Sequence, residues 1–148
     1  SEVKLHPTAE ASLFASSRSQ LLFEKIKPLL EEDNQIVILD RYIDSTLSYQ
    51  AMARGLGVEF ILNIHTQSPL NMLPDMTFYL EIDTQTSMER QNARGDEKDY
   101  FEKENTDFYQ TLISGYEASV KLFPNRMKVI DAKRTIDQIH SSILEVMK

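Results

Sequence analysis

A short apolar run that ends in an acidic–basic pair constrains the fold more than any other part of this sequence. Residues 36–39 are all aliphatic, and Asp40 and Arg41 follow them directly. An unbroken apolar run of this length is typical of a strand buried on both faces of a parallel sheet. Ligands of such sheets bind beyond the carboxyl ends of the strands. We therefore expect a strand over residues 35–39, with Asp40 and Arg41 at a ligand-binding edge.

Two further strand patterns alternate with helical patterns along the chain. The strands are predicted over residues 76–83 and 126–130, and a carboxylate closes each of them. Strands that alternate with helices indicate an α/β fold in which helices cover a parallel sheet. A chain of 148 residues without a recognisable linker predicts a single domain, residues 1–148. The helices are expected at residues 8–30, 44–54, 58–65, 84–94, 109–123 and 135–147.

The composition narrows the kinds of partner that the chain can have. A net charge of −7 disfavours bulk attraction to nucleic acid or to an anionic membrane, so any phosphate ligand must be held by local arginines. The sequence contains no cysteine, and no apolar run approaches the roughly 20 residues of a membrane span. We expect a cytoplasmic protein that binds neither nucleic acid nor membrane. The histidines are isolated, so no metal site is predicted from their spacing.

Arg41 is the first candidate for contact with a ligand. A guanidinium at the carboxyl edge of a buried strand offers a planar, permanently charged fork for a phosphate or a carboxylate. The alternative is a structural pair between Asp40 and Arg41 that closes the strand end. Spacing alone leaves both interpretations open.

Phe14 and Arg18 are candidates for binding a planar group. They lie four residues apart on one face of a predicted helix. A ring there can stack on a base while a guanidinium donates to the edge of the base, although Phe14 in a core and Arg18 at the surface would also be ordinary. Gln50 can both donate to and accept from a base edge. A polar, solvent-facing helix is the simpler interpretation of Gln50 without further evidence.

Arg90 and Arg94 are candidates for contact with phosphates. They precede a highly charged segment, residues 95–105, which could close over a ligand as a mobile loop. The alternative is that arginines near a helix C-terminus simply interact favourably with the helix dipole. No G-x-x-x-x-G-K-[ST] phosphate-binding motif occurs in the sequence.

Five segments, in order, resemble the bacterial thymidylate kinase family, which belongs to the P-loop nucleoside-monophosphate kinases. Residues 40–50 are similar to its D-R-Y-x-x-S-[ST]-x-A-Y-Q signature, and residues 13–20 to its L-F-A-A-x-R-x-Q helix. Residues 54–57 match its R-G-L-G segment, and residues 73–80 its P-D-x-T-x-Y-L segment. Residues 129–132 resemble its last strand. The resemblance covers nearly the whole chain, and the combination is specific although no single segment is.

The resemblance implies roles for the acceptor side. Phe14 would stack on thymine, Arg18 would donate to its edge, and Gln50 beside Thr46 would read the rest of the base. Arg41 would hold the monophosphate. The residues that would pack on the deoxyribose are Tyr42 and Tyr49.

The resemblance also implies roles in catalysis and in ATP binding. The reaction would be transfer of the ATP γ-phosphoryl group to dTMP in dTTP biosynthesis, with Mg²⁺ bound to ATP. Arg41 would act in catalysis with Asp40, which would orient it or lie near the Mg²⁺ and phosphates. Arg90 and Arg94 would belong to a LID that closes on the ATP phosphates. The residues that would contact adenine are Lys133 and Arg134.

The sequence departs from the family in two respects. The family begins with a strand, a P-loop and a helix, followed by a second strand, and none of these occurs in the 148 residues. We therefore expect a P-loop NTPase-like sheet that lacks its first two strands, in a chain that is part of a longer protein or is completed by another chain. In the LID segment, Tyr100 stands where the family usually has arginine. The LID role would therefore pass to Arg90 or Arg94.

Two functions remain open from the sequence. The first is the dTMP-binding half of a thymidylate kinase, inactive as residues 1–148 alone and active with its P-loop half. The alternative is an inactive nucleotide-binding or protein-interaction chain. A homodimer is also possible, through apolar residues of the helices at 8–30 and 56–65.

Overall fold

The computed structural model describes residues 4–94 and 106–148. Within these ranges the chain forms two compact units, which meet in sequence between Leu73 and Pro74. None of the helices in the described ranges is long and apolar enough to cross a membrane.

The secondary-structure elements described in the first unit are all helices. His6 caps its first helix, because the imidazole Nδ1 accepts a hydrogen bond of 3.2 Å from the backbone N–H of Thr8. The helix therefore begins one residue before the predicted start at residue 8. The helical segments are α1 (Pro7–Leu21), the first π-helical segment (Leu22–Ile26), α2 (Lys27–Leu30), α3 (Ile43–Thr46), the second π-helical segment (Leu47–Ala53) and α4 (Val58–Ile64).

Small residues allow two of these helical stretches to pack closely. Ala11 and Ala15 of α1 and Ala51 of the second π-helical segment are all buried. The separation of packed helices depends on the side chains at the contact, so alanine brings the two backbones near each other. Polar side chains that flank these alanines are therefore within hydrogen-bonding reach across the contact. Larger apolar residues complete the core of this unit, namely Leu22, Ile26, Ile43, Leu47 and Ile61.

Residues 35–39 form no strand, so the prediction of a buried strand at this position was wrong. Ile36 and Ile38 leave 76% and 88% of their surfaces exposed. A strand is stabilised only when its N–H and C=O groups pair with a neighbouring strand, and no ladder of the described residues includes this segment. The apolar run predicts a sheet segment, but no described residue pairs with it.

The second unit contains the sheet. Strands β1 (Thr77–Glu81) and β2 (Met127–Asp131) are parallel, in a register that pairs Thr77 with Met127 and Glu81 with Asp131. This confirms two of the three predicted strands and the parallel α/β class. The helices of this unit are α5 (Thr84–Arg94), α6 (Thr106–Leu122) and α7 (Ile136–Val146).

Local contacts explain the helix positions in the second unit. Tyr79 of β1 stacks on Tyr116 of α6 with ring centroids 5.2 Å apart, and burial raises the pKa of Tyr79 to about 12. Thr135 and Gln138 form a reciprocal capping box at the start of α7. The predicted charged loop, residues 96–105, lies outside the described residues.

Candidate functional site

Two rows of residues face each other in the first unit, each with a spacing of four. One row lies on α1, and the other runs from the end of α3 through the second π-helical segment. Residues four apart share a face of an α-helix, and the wider π-helical turn preserves this approximately. We call these rows the polar seam, which consists of Glu10, Phe14 and Arg18 on α1 and Thr46, Gln50 and Arg54 opposite.

Arg18 closes one end of the polar seam. Its Nη2 donates to Thr46 Oγ1 at 2.8 Å, and its Nη1 lies 2.7 Å from Nε2 of His65. The guanidinium carbon lies 4.8 Å from the centre of the Tyr42 ring, which is cation–π distance. Three contacts therefore hold the Arg18 fork in one orientation.

Glu10 closes the other end of the polar seam. Its Oε1 accepts a hydrogen bond of 2.7 Å from Nε2 of Gln50, and both residues are buried. Its Oε2 lies 3.5 Å from Nε of Arg54. A buried carboxylate of this kind needs both a counter-charge and hydrogen-bond donors, and Arg54 and Gln50 supply them.

Phe14 lies between these two closed ends. Its neighbours four residues before and after it on α1 are Glu10 and Arg18, which contact Gln50 and Thr46 respectively. The ring is nevertheless 44% exposed. The arrangement therefore presents an accessible aromatic surface, with a guanidinium on one side and a side-chain amide on the other.

Arg41 and Tyr49 form a second group in the same unit. Arg41 Nη1 lies 3.4 Å from the Tyr49 hydroxyl, and its guanidinium carbon lies 5.7 Å from the Tyr49 ring centre. Arg41 is exposed, as is Asp40, and its φ of +69° is in the left-handed region that non-glycine residues rarely adopt. Such strain is concentrated at functional sites. Tyr42, the next residue, donates its hydroxyl to the Met72 carbonyl at 2.8 Å.

His65 belongs to this site, although the sequence pattern indicated only a structural or surface residue. Its Nδ1 lies 2.8 Å from the carbonyl oxygen of Ile61. A carbonyl can only accept, so Nδ1 carries the proton and Nε2 accepts from Arg18. Burial lowers the pKa of His65, the Ile61 carbonyl opposes this, and the Arg18 charge lowers the pKa further. No signal in the sequence paired His65 with Arg18, which is 47 residues away.

Burial also shifts the pKa values of the groups around Arg18. Burial lowers the pKa of Arg18, while Tyr42 and the carboxylate of Asp44 raise it. Burial raises the pKa of Tyr42, and the Arg18 charge opposes this. Arg18 keeps its charge at neutral pH, because a guanidinium cannot be deprotonated in proteins. A charged, partly desolvated donor of this kind binds a ligand oxygen more strongly than an exposed one.

The predicted ATP-side residues lie in the second unit. Arg90 Nη1 donates to the carbonyl of Ala132 at 2.8 Å, so this arginine contacts the loop that follows β2. Lys133 Nζ lies 3.6 Å from Asp83, and Arg134 Nε lies 3.3 Å from Asp131.

Hydrogen bonds keep the two acidic groups of this loop region ionised. The main cause that lowers the pKa of Asp83 is hydrogen-bond donation from the Thr86 backbone. The main cause that lowers the pKa of Asp131 is hydrogen-bond donation from the Lys133 backbone. The side chain of Arg94 lies outside the described part of the chain. Over that part, no three histidine, aspartate or glutamate side chains converge as metal ligands.

The fold is that of an α/β protein with parallel strands, and the comparisons with known proteins identify the class as nucleotide kinases. The family model described as thymidylate kinase matches residues 1–143. The chain therefore belongs to the thymidylate kinase family.

Curated relatives agree with this assignment. The chain is 40% identical over 144 residues to the thymidylate kinase of Thermoanaerobacter sp. (strain X514), covering 97% of the chain and 70% of the relative. It is 41% identical over 149 residues to that of Mycoplasmopsis pulmonis, covering 99% and 63%. It is 39% identical over 145 residues to that of Acholeplasma laidlawii, covering 97% and 69%. The chain thus spans about two thirds of the length of these relatives.

The contact between His65 and Arg18 predicts a pH-dependent stability. His65 has a lowered pKa in the folded protein, so the unfolded chain binds more protons as the pH falls below about 6.5. The free energy of unfolding should therefore fall as the pH falls through the folded pKa, by at most about 1.4 kcal/mol per pH unit. Urea unfolding of His65→Gln, whose amide oxygen can still accept from Arg18, should show a flatter pH dependence.

His140 provides a matched control for this experiment. It is exposed on α7, so His140→Gln makes the same chemical change at the surface. That variant should retain the pH dependence of the original protein. If the free energy of unfolding of His65→Gln fell with pH as steeply as that of the original protein, His65 would not contribute to the pH dependence.

Proposed function

We propose that the protein transfers the γ-phosphoryl group of ATP to dTMP, forming dTDP for dTTP biosynthesis, and that the first unit supplies the dTMP site. The observation that carries this proposal is the polar seam, in which an exposed Phe14 ring lies between a fixed guanidinium and a fixed amide. Membership of the thymidylate kinase family supports the choice of substrate.

The base would bind on the Phe14 ring. Thymine presents a flat surface for stacking, and carbonyl oxygens and an imide N–H at its edge. Arg18, held by Thr46 and His65, would donate to a carbonyl oxygen. Gln50, on the other side of Phe14, would complete the contacts with the edge.

The monophosphate would bind at Arg41. A guanidinium can make two parallel, charge-assisted hydrogen bonds to a phosphate, and the exposed Arg41 is accessible to one. Tyr49, which Arg41 contacts, and Tyr42 would pack against the deoxyribose. Asp40 would orient Arg41. The left-handed backbone at Arg41 would set the direction of its side chain.

The second unit would bind the phosphoryl donor, ATP. An oxygen of the dTMP phosphate would attack the γ-phosphorus while the bond to the β–γ bridging oxygen breaks and ADP leaves. The substrate would be ATP with its Mg²⁺ bound to the phosphates. Arg41, Arg90 and Arg94 would neutralise the developing charge, with Asp40 near the phosphates. The contacts with adenine would come from Lys133 and Arg134.

A specific feature favours the alternative of binding without catalysis, because none of the 148 residues forms a P-loop motif. A polypeptide of residues 1–148 should therefore bind dTMP but form no dTDP from ATP. The protein purified from its source cells should form dTDP, measured by chromatography of the nucleotides. Binding of dTMP by that purified protein without any dTDP would support the alternative and contradict the proposed kinase activity.

We also propose that the protein is cytoplasmic, where its nucleotide substrates occur, and that it forms a homodimer through the helical residues of 8–30 and through α4. Leu13 and Phe23 are 58% and 69% exposed, and Phe60 of α4 is 38% exposed. Exposed apolar residues of this size are typical of protein–protein contacts. Sedimentation velocity should show the mass of a dimer, and Phe23→Glu should shift it to a monomer.

A further inference from the structure

A buried carboxylate that the proposed function does not use accepts a hydrogen bond from the amide of Gln50. Glu10 and Gln50 are among the most buried polar residues of the described chain, and the Nε2–Oε1 distance between them is 2.7 Å. An ionised carboxylate can only accept hydrogen bonds. The atom of the Gln50 amide that faces Glu10 must therefore be the NH₂ group.

Arg54 contacts the same carboxylate of Glu10. Arg54 Nε lies 3.5 Å from the second oxygen of Glu10, so a permanent positive charge accompanies the carboxylate. The two carboxylate oxygens of Glu10 therefore face a donor each, Gln50 and Arg54. The other amide atom, Gln50 Oε1, takes no part in this hydrogen bond. Over the described residues, the hydrogen bond to Glu10 is the single one recorded for the Gln50 side chain.

We propose that Glu10 is a positioning residue that fixes the Gln50 amide with its oxygen free to accept the imide N–H of the base, and so makes the site specific for imide pyrimidines. This inference rests on the proposed function. Thymine and uracil carry a proton on N3, whereas cytosine has an unprotonated, accepting N3. An accepting oxygen of Gln50 attracts the imide N–H and repels the accepting nitrogen of cytosine.

The isosteric variant Glu10→Gln tests this role directly. An amide at position 10 can either donate or accept, so the Gln50 amide is free to turn and present Nε2 to the base. Affinity for dTMP should fall by about tenfold, while affinity for dCMP stays the same or rises. A general loss of structure would lower the affinity for dTMP and for dCMP together. Equal changes in the two dissociation constants, or no change in either, would overturn the inference.

A matched control separates the position from the charge change. Glu59 is an exposed residue on α4 of the same unit, so Glu59→Gln makes the identical chemical change at the surface. Both dissociation constants should be unaltered in this variant. Titration calorimetry with dTMP and dCMP measures all of these values on the same protein.

A measurement without nucleotide tests the contact between Glu10 and Gln50 separately from the proposed function. In a spectrum of ¹⁵N-labelled protein, the assigned side-chain amide protons of Gln50 should be shifted downfield and protected from exchange. Glu10→Gln should move them toward the values of the exposed glutamines, whereas Glu59→Gln should not. Unprotected Gln50 signals in the original protein would overturn the inference even if Glu10→Gln failed to fold. Protected Gln50 signals in a protein that does not bind dTMP would contradict the proposed function and leave the positioning role of Glu10 supported.

Discussion

Replacement of Arg41 by alanine is expected to weaken dTMP binding by about 1.5–3 kcal/mol, roughly 10- to 150-fold, because the phosphate loses its charge-assisted donor. Affinity for thymidine, which has no phosphate, should remain within about twofold of its original value. Arg41 is exposed, and within the described part of the chain its side chain hydrogen-bonds to Tyr49, so its loss should leave the fold intact. Titration calorimetry with both ligands measures the two effects separately.

Two further variants separate the loss of the guanidinium from changes in backbone strain and in net charge. Arg41→Gly removes the guanidinium and also relieves the left-handed backbone at φ +69°, so it should weaken dTMP binding while the free energy of unfolding stays within about 1 kcal/mol or rises. Lys25→Ala removes one exposed positive charge from the same unit and should not change affinity. An Arg41→Ala protein with unchanged dTMP affinity would show that the phosphate binds elsewhere.

Replacement of Arg18 by lysine is expected to have the second large effect. A lysine keeps the charge but cannot contact His65 and Thr46 with two arms of one rigid fork. We expect the affinities for dTMP and for thymidine to fall by the same factor, roughly 10- to 100-fold, because both ligands carry the base. The free energy of unfolding should fall by about 1–3 kcal/mol, since buried acceptors lose their donor.

The pattern of losses distinguishes the two arginines. Arg41 variants should lower the affinity for dTMP but not for thymidine, whereas Arg18→Lys should lower both affinities. A loss confined to dTMP in Arg18→Lys would assign Arg18 to the phosphate and contradict the proposed orientation of the ligand. Thermal unfolding with and without thymidine provides an independent measurement, because a ligand raises the unfolding temperature only if it binds the folded protein.

Features that depend on local spacing could be predicted from the sequence. The spacing of Phe14 and Arg18 placed them on one helical face, and α1 has this geometry. The periodic segments after residue 76 became α5, α6 and α7 close to the predicted bounds. The strand patterns there became β1 and β2, because each finds its partner in the other. Helical spacing and turn chemistry are encoded within a few residues.

Features that depend on distant partners could not be predicted. The apolar run at residues 36–39 predicts a strand, but an apolar run does not specify which neighbouring strand it would pair with. His65 lies 47 residues from Arg18, and no periodicity connects them. Glu10 carried a usable signal, because it continues the spacing of four that links Phe14 and Arg18.

The most direct test of the proposed dTMP site is a titration of the protein with dTMP, thymidine and dAMP. All three should compete for one site per chain, and dTMP should bind at least about tenfold more tightly than either of the others, because only dTMP combines the Arg41 phosphate contact with the base contacts at Arg18 and Gln50. Equal affinity for the three ligands, or no saturable binding of dTMP, would contradict the site.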